Sequence, residues 1–151
     1  MNRRAVQLLL AVAGLVLIAL GVAILVVPHA FFATNGIVLG SDPSLLSEIR
    51  APGALLAGCG LLVLRGVVQR RQTRSSLYVA VFVYGAFGAA RLLSIALDGI
   101  PATSLLWATG IELGVAILCA SAAEHDTVLN DAEQARSAYC GDTERSAPSV
   151  A

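Results

Sequence analysis

The sequence predicts an all-α protein, a four-helix transmembrane bundle with both termini in the cytoplasm. Three observations carry that expectation. First, hydrophobic residues make up 57% of the 151-residue chain and charged residues 13%, against about 25% charged in an ordinary soluble domain. So little polar surface cannot cover a water-exposed globule, and a mean hydropathy of +0.79 agrees that part of the surface faces lipid. Second, the apolar residues gather into four runs, at about 5–27, 51–68, 77–97 and 104–123. A helix needs about 20 residues to cross a hydrocarbon core of about 30 Å. Third, the arginines are sorted by link. Arg3 and Arg4 precede the first run, and Arg65, Arg70, Arg71 and Arg74 cluster around the link between the second and third. Arg50 is the one arginine of the other two links. The positive-inside rule places the arginine-rich side in the cytoplasm, and four crossings return the C-terminus there. The expected location is the plasma (inner) membrane, as a multi-pass protein.

The first helix, at about 5–27, has Gln7 as its single polar residue. Its arginine-flanked start resembles a secretory signal, but the apolar core of such a signal is only about 7–15 residues long. A retained signal anchor is expected. The next link is the most structured. Asp42 is placed to cap a helix whose first position is Pro43, where a missing N–H removes no bond. That helix, at about 44–68, contains Pro52, whose ring removes the bond that would reach the carbonyl of Glu48. A kink or break near 48–52 is expected. The third and fourth helices, at about 77–97 and 104–123, carry Arg91 and Glu112. Residues 1–123 thus form the transmembrane domain. Residues 124–151 form a polar cytoplasmic tail, with Glu124, Asp126, Asp131 and Glu133 near its start. The tail has too little apolar surface to fold alone and is expected to be partly disordered after a short helical extension.

Small residues let helix backbones approach one another in lipid. Gly14 and Gly21 share a face of the first helix, Gly53, Gly58 and Gly60 sit in the second, Gly85 and Gly88 in the third, and Gly110 and Gly114 form a GxxxG pair in the fourth. Because every helix has such positions, contacts within one bundle account for them better than a dimer seam does.

Ionisable residues inside a membrane are expensive and face the bundle interior with a partner. Arg91 stands seven residues before Asp98, and Glu112 nine residues after Thr103. At 1.5 Å per residue they lie roughly 10 and 13 Å below the same boundary, a difference the arginine side chain spans. Opposite charges on adjacent antiparallel helices at that depth should pair. Asp98 and Tyr84 each lie seven residues from Arg91 on its face of the helix, and Glu48 and Arg50 approach the same level from the second helix. The candidate site is therefore a charged cluster of Glu48, Arg50, Arg91, Asp98 and Glu112 in the outer half of the bundle. It serves either as a buried ion-pair network or as a polar pocket.

Other chemistries find no support. Basic residues do not interleave with aromatics as in nucleic-acid binding. Cys59, Cys119 and Cys140 form no CxxC pair and, being odd in number, no disulfide framework. His29 and His125 lie at opposite ends of the topology, whereas a metal site needs three or four converging ligands. No P-loop, HExxH or nucleophile elbow is present. Neither a cofactor nor an enzymatic activity is expected.

The stretch Glu48-Ile49-Arg50-Ala51-Pro52-Gly53, the glycine-rich second helix, Arg91-Leu92-Leu93-Ser94 with Asp98-Gly99-Ile100-Pro101, and then Glu112 resemble a bacterial family. It is catalogued as domain of unknown function 4345 and consists of small four-helix membrane proteins. The similarity runs over about 5–123, with Pro52 a departure from the family's pattern. The resemblance implies the bundle and singles out the same five charges, but it brings no activity. The architecture is also similar to DoxX-type four-helix proteins, some of which are linked to redox modules. The leading expectation is a non-enzymatic membrane protein that binds a lipid, a quinone or a membrane-protein partner. The alternatives are a small proton-coupled transporter and a membrane subunit of a redox system.

Overall fold

The computed structural model describes residues 2–145, with side chains described for 2–125. Five α-helices follow one another: α1 Arg3–Val26, α2 Pro28–Ala33, α3 Pro43–Val68, α4 Thr73–Asp98 and α5 Thr103–Arg145, with a 3₁₀ turn at Arg70–Gln72 between α3 and α4. The described residues contain no strand. Four segments, Arg3–Val26, Pro43–Val68, Arg70–Asp98 and Thr103–His125, are long and apolar enough to cross a membrane. They alternate in direction, so the start of α1 and the part of α5 that leaves the bundle lie on the side that holds the Arg70–Gln72 turn, the arginine end. The opposite, loop end carries α2 and the α4–α5 link. Helix α5 continues without interruption from the bundle through residue 145, past the extension to about Tyr139 that the sequence suggests, and the rest of the expected disorder falls on residues 146–151, outside those described.

Local chemistry sets the helix ends. The Asn2 side chain caps α1 by accepting from the Arg4 backbone N–H. Asp42 Oδ1 accepts from the Leu45 backbone N–H at 3.0 Å, with Pro43 in the first helical position. Gly99 ends α4 at φ 97°, a backbone conformation that a Cβ disfavours. Pro52 does not interrupt α3. The helix runs on past it because one missing donor leaves the flanking hydrogen bonds intact, and in lipid the backbone has no better alternative than to stay helical.

The helices pack as two antiparallel pairs. α1 lies closest to α3 and α4 to α5; α3 joins the pairs by meeting α4, while α1 only grazes α4 and α5. The α1–α3 contact is a glycine seam. A Cβ on Gly21 would stand 2.5 Å from the Ala57 nitrogen and 2.6 Å from the Gly53 carbonyl oxygen; one on Gly60 would stand 2.8 Å from the Gly14 carbonyl oxygen. Glycines at seven-residue spacing on both helices therefore bring the two backbones together over two turns. Gly88 lets the Leu113 side chain onto α4, and Gly66 admits Ser76. Gly58, Gly110 and Gly114 meet nothing within 4 Å.

The core lies toward the arginine end, where Leu10, Val63, Leu77 and Cys119 have no exposed surface. Polar side chains there bond across to helix carbonyls: Ser76 Oγ donates to Leu62 at 2.8 Å and Thr73 Oγ1 to Gly66 at 3.0 Å. Such bonds satisfy polar groups that lipid cannot.

Candidate ligand cavity at the loop end

Toward the loop end the two helix pairs diverge and leave a half-open cavity of about 830 Å³ between them. Each pair contributes walls. Leu17, Leu20 and Ile24 come from α1, Ile49, Pro52 and Leu56 from α3, Val83 and Phe87 from α4, and Leu105, Ala108 and Ile111 from α5. From Ser94 down to Val83 the lining extends over eleven residue steps of α4, about 16 Å along the axis. The size falls within the range of small-molecule sites, about 300–1,000 Å³.

The floor is tied shut. The Tyr84 hydroxyl donates to the Ala13 carbonyl at 2.8 Å, joining α4 to α1 across the interface where these helices otherwise scarcely touch. Below it lie the fully packed residues of the arginine end. The mouth is bordered by α2 and the turn after it. Phe31 and Phe32 pack edge-on, with ring centroids 5.5 Å apart, and both line the cavity. Ser104 Oγ donates to Asn35 Oδ1 at 2.9 Å, tying this loop to the start of α5.

The polar wall is small and specific. Arg91 Nε donates to both carboxylate oxygens of Glu112, at 3.1 and 3.0 Å. The Arg91 side chain is 32% exposed and Glu112 13%. The pair spans α4 and α5 inside the cavity, so neither charge faces lipid alone. Because Nε alone engages Glu112, the two Nη amino groups donate to no acceptor among the described residues. Glu48 lines the cavity from α3, and its carboxylate has no hydrogen bond or ion pair among the described residues.

The five charges expected from the sequence therefore do not form one cluster. Glu48, Arg91 and Glu112 reach the cavity; Arg50 and Asp98 do not line it. Arg50 is two residues beyond Glu48, roughly 200° around the helix at 3.6 residues per turn, and so points away. Asp98 is the last residue of α4 and accepts from Ser94 Oγ at 3.0 Å, which keeps it at the helix end above the mouth. Sequence reasoning missed the border of the mouth altogether. Pro28 at a helix start and the adjacent aromatics Phe31 and Phe32, apolar rings placed in a link, were the available signal. Among the described residues no three His, Cys, Asp or Glu side chains are grouped to hold a metal ion.

A profile of the family described as Domain of unknown function (DUF4345) matches residues 5–123. That span takes in the four membrane-length segments, except the first two residues of the first and the last two of the fourth, and every residue lining the cavity. Among curated proteins and solved structures nothing matches.

Proposed function

Since the chain belongs to the family of domain of unknown function 4345, whose description assigns no chemistry, we propose from the geometry that it is a non-enzymatic, ligand-binding membrane protein. The ligand is a small amphipathic molecule taken up at the loop end of the bundle. One observation carries the reading. A cavity with apolar walls and a closed floor holds an Arg91–Glu112 pair whose unused guanidinium donors remain available. Apolar walls with a few convergent polar groups are the usual make-up of small-molecule sites. No buried side-chain nitrogen or oxygen among the described residues lacks a partner, so the unbonded Nη groups are open to the cavity and a ligand can reach them. The positive-inside rule supports a cytoplasmic arginine end and, with it, cytoplasmic termini. In the plasma membrane the mouth then faces outward.

The closed floor speaks against transport, because a carrier needs a path through the half of the bundle that Leu10, Leu77 and Val63 fill. The test is native mass spectrometry of the purified full-length protein, compared with Ala108→Phe, which places a ring in the cavity. The wild type should retain an amphipathic adduct that the variant loses at unchanged thermal stability. Retention of the same adduct by Ala108→Phe, or none by either protein, overturns the reading. A quinone adduct would assign the protein to redox chemistry, and a bound second protein would make the cavity secondary to a partner surface.

A further inference from the structure

The charges of the cavity specify which amphiphile fits. Glu48, Arg91 and Glu112 sum to −1, and Arg91 is already neutralised by Glu112 at 3.0 Å. An added anion would meet a site with a net negative charge, beside a carboxylate. The Nη fork of Arg91 thus suits a neutral acceptor oxygen such as a carbonyl, which takes its hydrogen bonds without adding like charge. Glu48 has no cationic partner among the described residues.

The positions are ordered along the axis. Glu48 lies in the second turn of α3, near the mouth, with Leu56 eight residues below it on the cavity wall. Arg91 is one turn below the upper lining residue Ser94, and eight residues of α4 separate it from Val83 near the floor. That leaves about 12 Å of apolar depth beneath the guanidinium, the length of a medium alkyl chain. We infer that the cavity takes a cationic amphiphile. Its alkyl part rests on the Leu17–Leu56–Val83 floor, a neutral carbonyl-type oxygen accepts from the Arg91 Nη groups, and a protonated amine pairs with Glu48. Binding brings the charge in the cavity to zero and gives each polar group a partner.

This inference rests on the ligand-binding reading above, and its test separates the two. Four probes with a twelve-carbon chain are compared on the full-length protein in phosphatidylcholine nanodiscs, with binding to protein-free nanodiscs subtracted. They are N-(2-aminoethyl)dodecanamide, dodecylamine, 1-dodecanol and dodecanoate. The expected order of affinity is aminoamide, amine, alcohol and carboxylate. Glu48→Gln should weaken the two amines by about tenfold, the worth of one charge-assisted hydrogen bond, and leave dodecanol unchanged, while Glu48→Asp restores much of the loss. Glu48 is solvent-accessible and makes no ion pair, so these variants fold. Dodecanol or dodecanoate binding as tightly as the aminoamide, with Glu48→Gln indistinguishable from wild type, overturns the charge assignment alone. Failure of all four probes overturns the ligand-binding reading with it.

Discussion

At the arginine end the four long helices close around Leu10, Val63, Leu77 and Cys119 until none of these side chains has exposed surface; at the loop end the same helices stand apart around about 830 Å³. The chain therefore packs the two helix pairs against each other in one half and leaves them apart in the other. In lipid little hydrophobic force draws helices together, so association rests on close van der Waals contact and on hydrogen bonds. The packed half uses both, through the Gly14/Gly60 approach and through Ser76 and Thr73 on helix carbonyls, while the Gly21/Gly53 approach continues the α1–α3 seam up to the level of the cavity walls. The hollow half keeps close contact within the α1–α3 pair at Gly21 and Gly53, and three side-chain links hold its other elements: Tyr84 to Ala13, Arg91 to Glu112, and Ser104 to Asn35. A scaffold made rigid at one end can carry an open site at the other, because the site need not supply the stability of the bundle.

The sharpest way to break this contrast is to truncate one leucine in each half. Leu77→Ala removes a side chain with no exposed surface and should destabilise the protein by about 2–5 kcal/mol. Leu20→Ala, on the cavity wall, should change stability by less than about 1 kcal/mol, because the space it faces is already open. Reversible unfolding in mixed micelles measures both. Equal losses would mean that the two halves share the load, and the division drawn here would be wrong.

The glycine seam gives the next largest effect. A Cβ on Gly21 would press on the backbone of Gly53 and Ala57, which cannot yield as a side-chain tip would. Gly21→Ala should therefore separate α1 from α3 at a loss of about 1–3 kcal/mol. The same unfolding assay reads it, and a neutral result would show that the α1–α3 approach is looser than the seam requires.

The charged pair sharpens the comparison from the other side. Arg91→Leu alone leaves the Glu112 carboxylate unpaired in the cavity wall and should cost about 1–3 kcal/mol. Arg91→Leu with Glu112→Leu removes both charges and should return stability to within about 1 kcal/mol of wild type, as replacing a pair by apolar side chains often does. If that double variant also binds the dodecyl probes as the wild type does, the polar wall plays no part in recognition.

Most of this architecture is legible in the sequence, for physical reasons that single residues show. Membrane-length apolar runs fix the four crossings, because lipid permits few other backbone arrangements. Asp42 with Pro43 marks the start of α3, since capping is decided within one turn. Depth counting brings Arg91 to the level of Glu112. What counting cannot supply is rotation and splay. Whether Arg50 shares a face with Glu48 depends on helix angle, and Asp98 belongs to the helix end through its bond from Ser94. The cavity itself is invisible in the sequence, because it arises where side chains from two separately packed pairs fail to meet. The α2 segment was hidden for a related reason: six residues are too short for a periodic signal.

The smallest expected effect concerns the GxxxG pair, the motif that looked most like a packing signal and that the bundle does not use. A Cβ at Gly110, Gly114 or Gly58 would meet nothing within 4 Å. With no clash to offset it, the gain from restricting the unfolded backbone remains, and each Gly→Ala change should stabilise its helix by about 0.5–1 kcal/mol. Gly58 is the internal reference, since it faces outward from α3 outside any GxxxG pattern. Equal gains for Gly58→Ala and Gly110→Ala would assign both to a face that meets only lipid. A loss at Gly110 or Gly114 beside a gain at Gly58, read together with mass by light scattering, would instead reveal that α5 presses this face against another polypeptide. The distinction between packed and open regions would then extend beyond one chain.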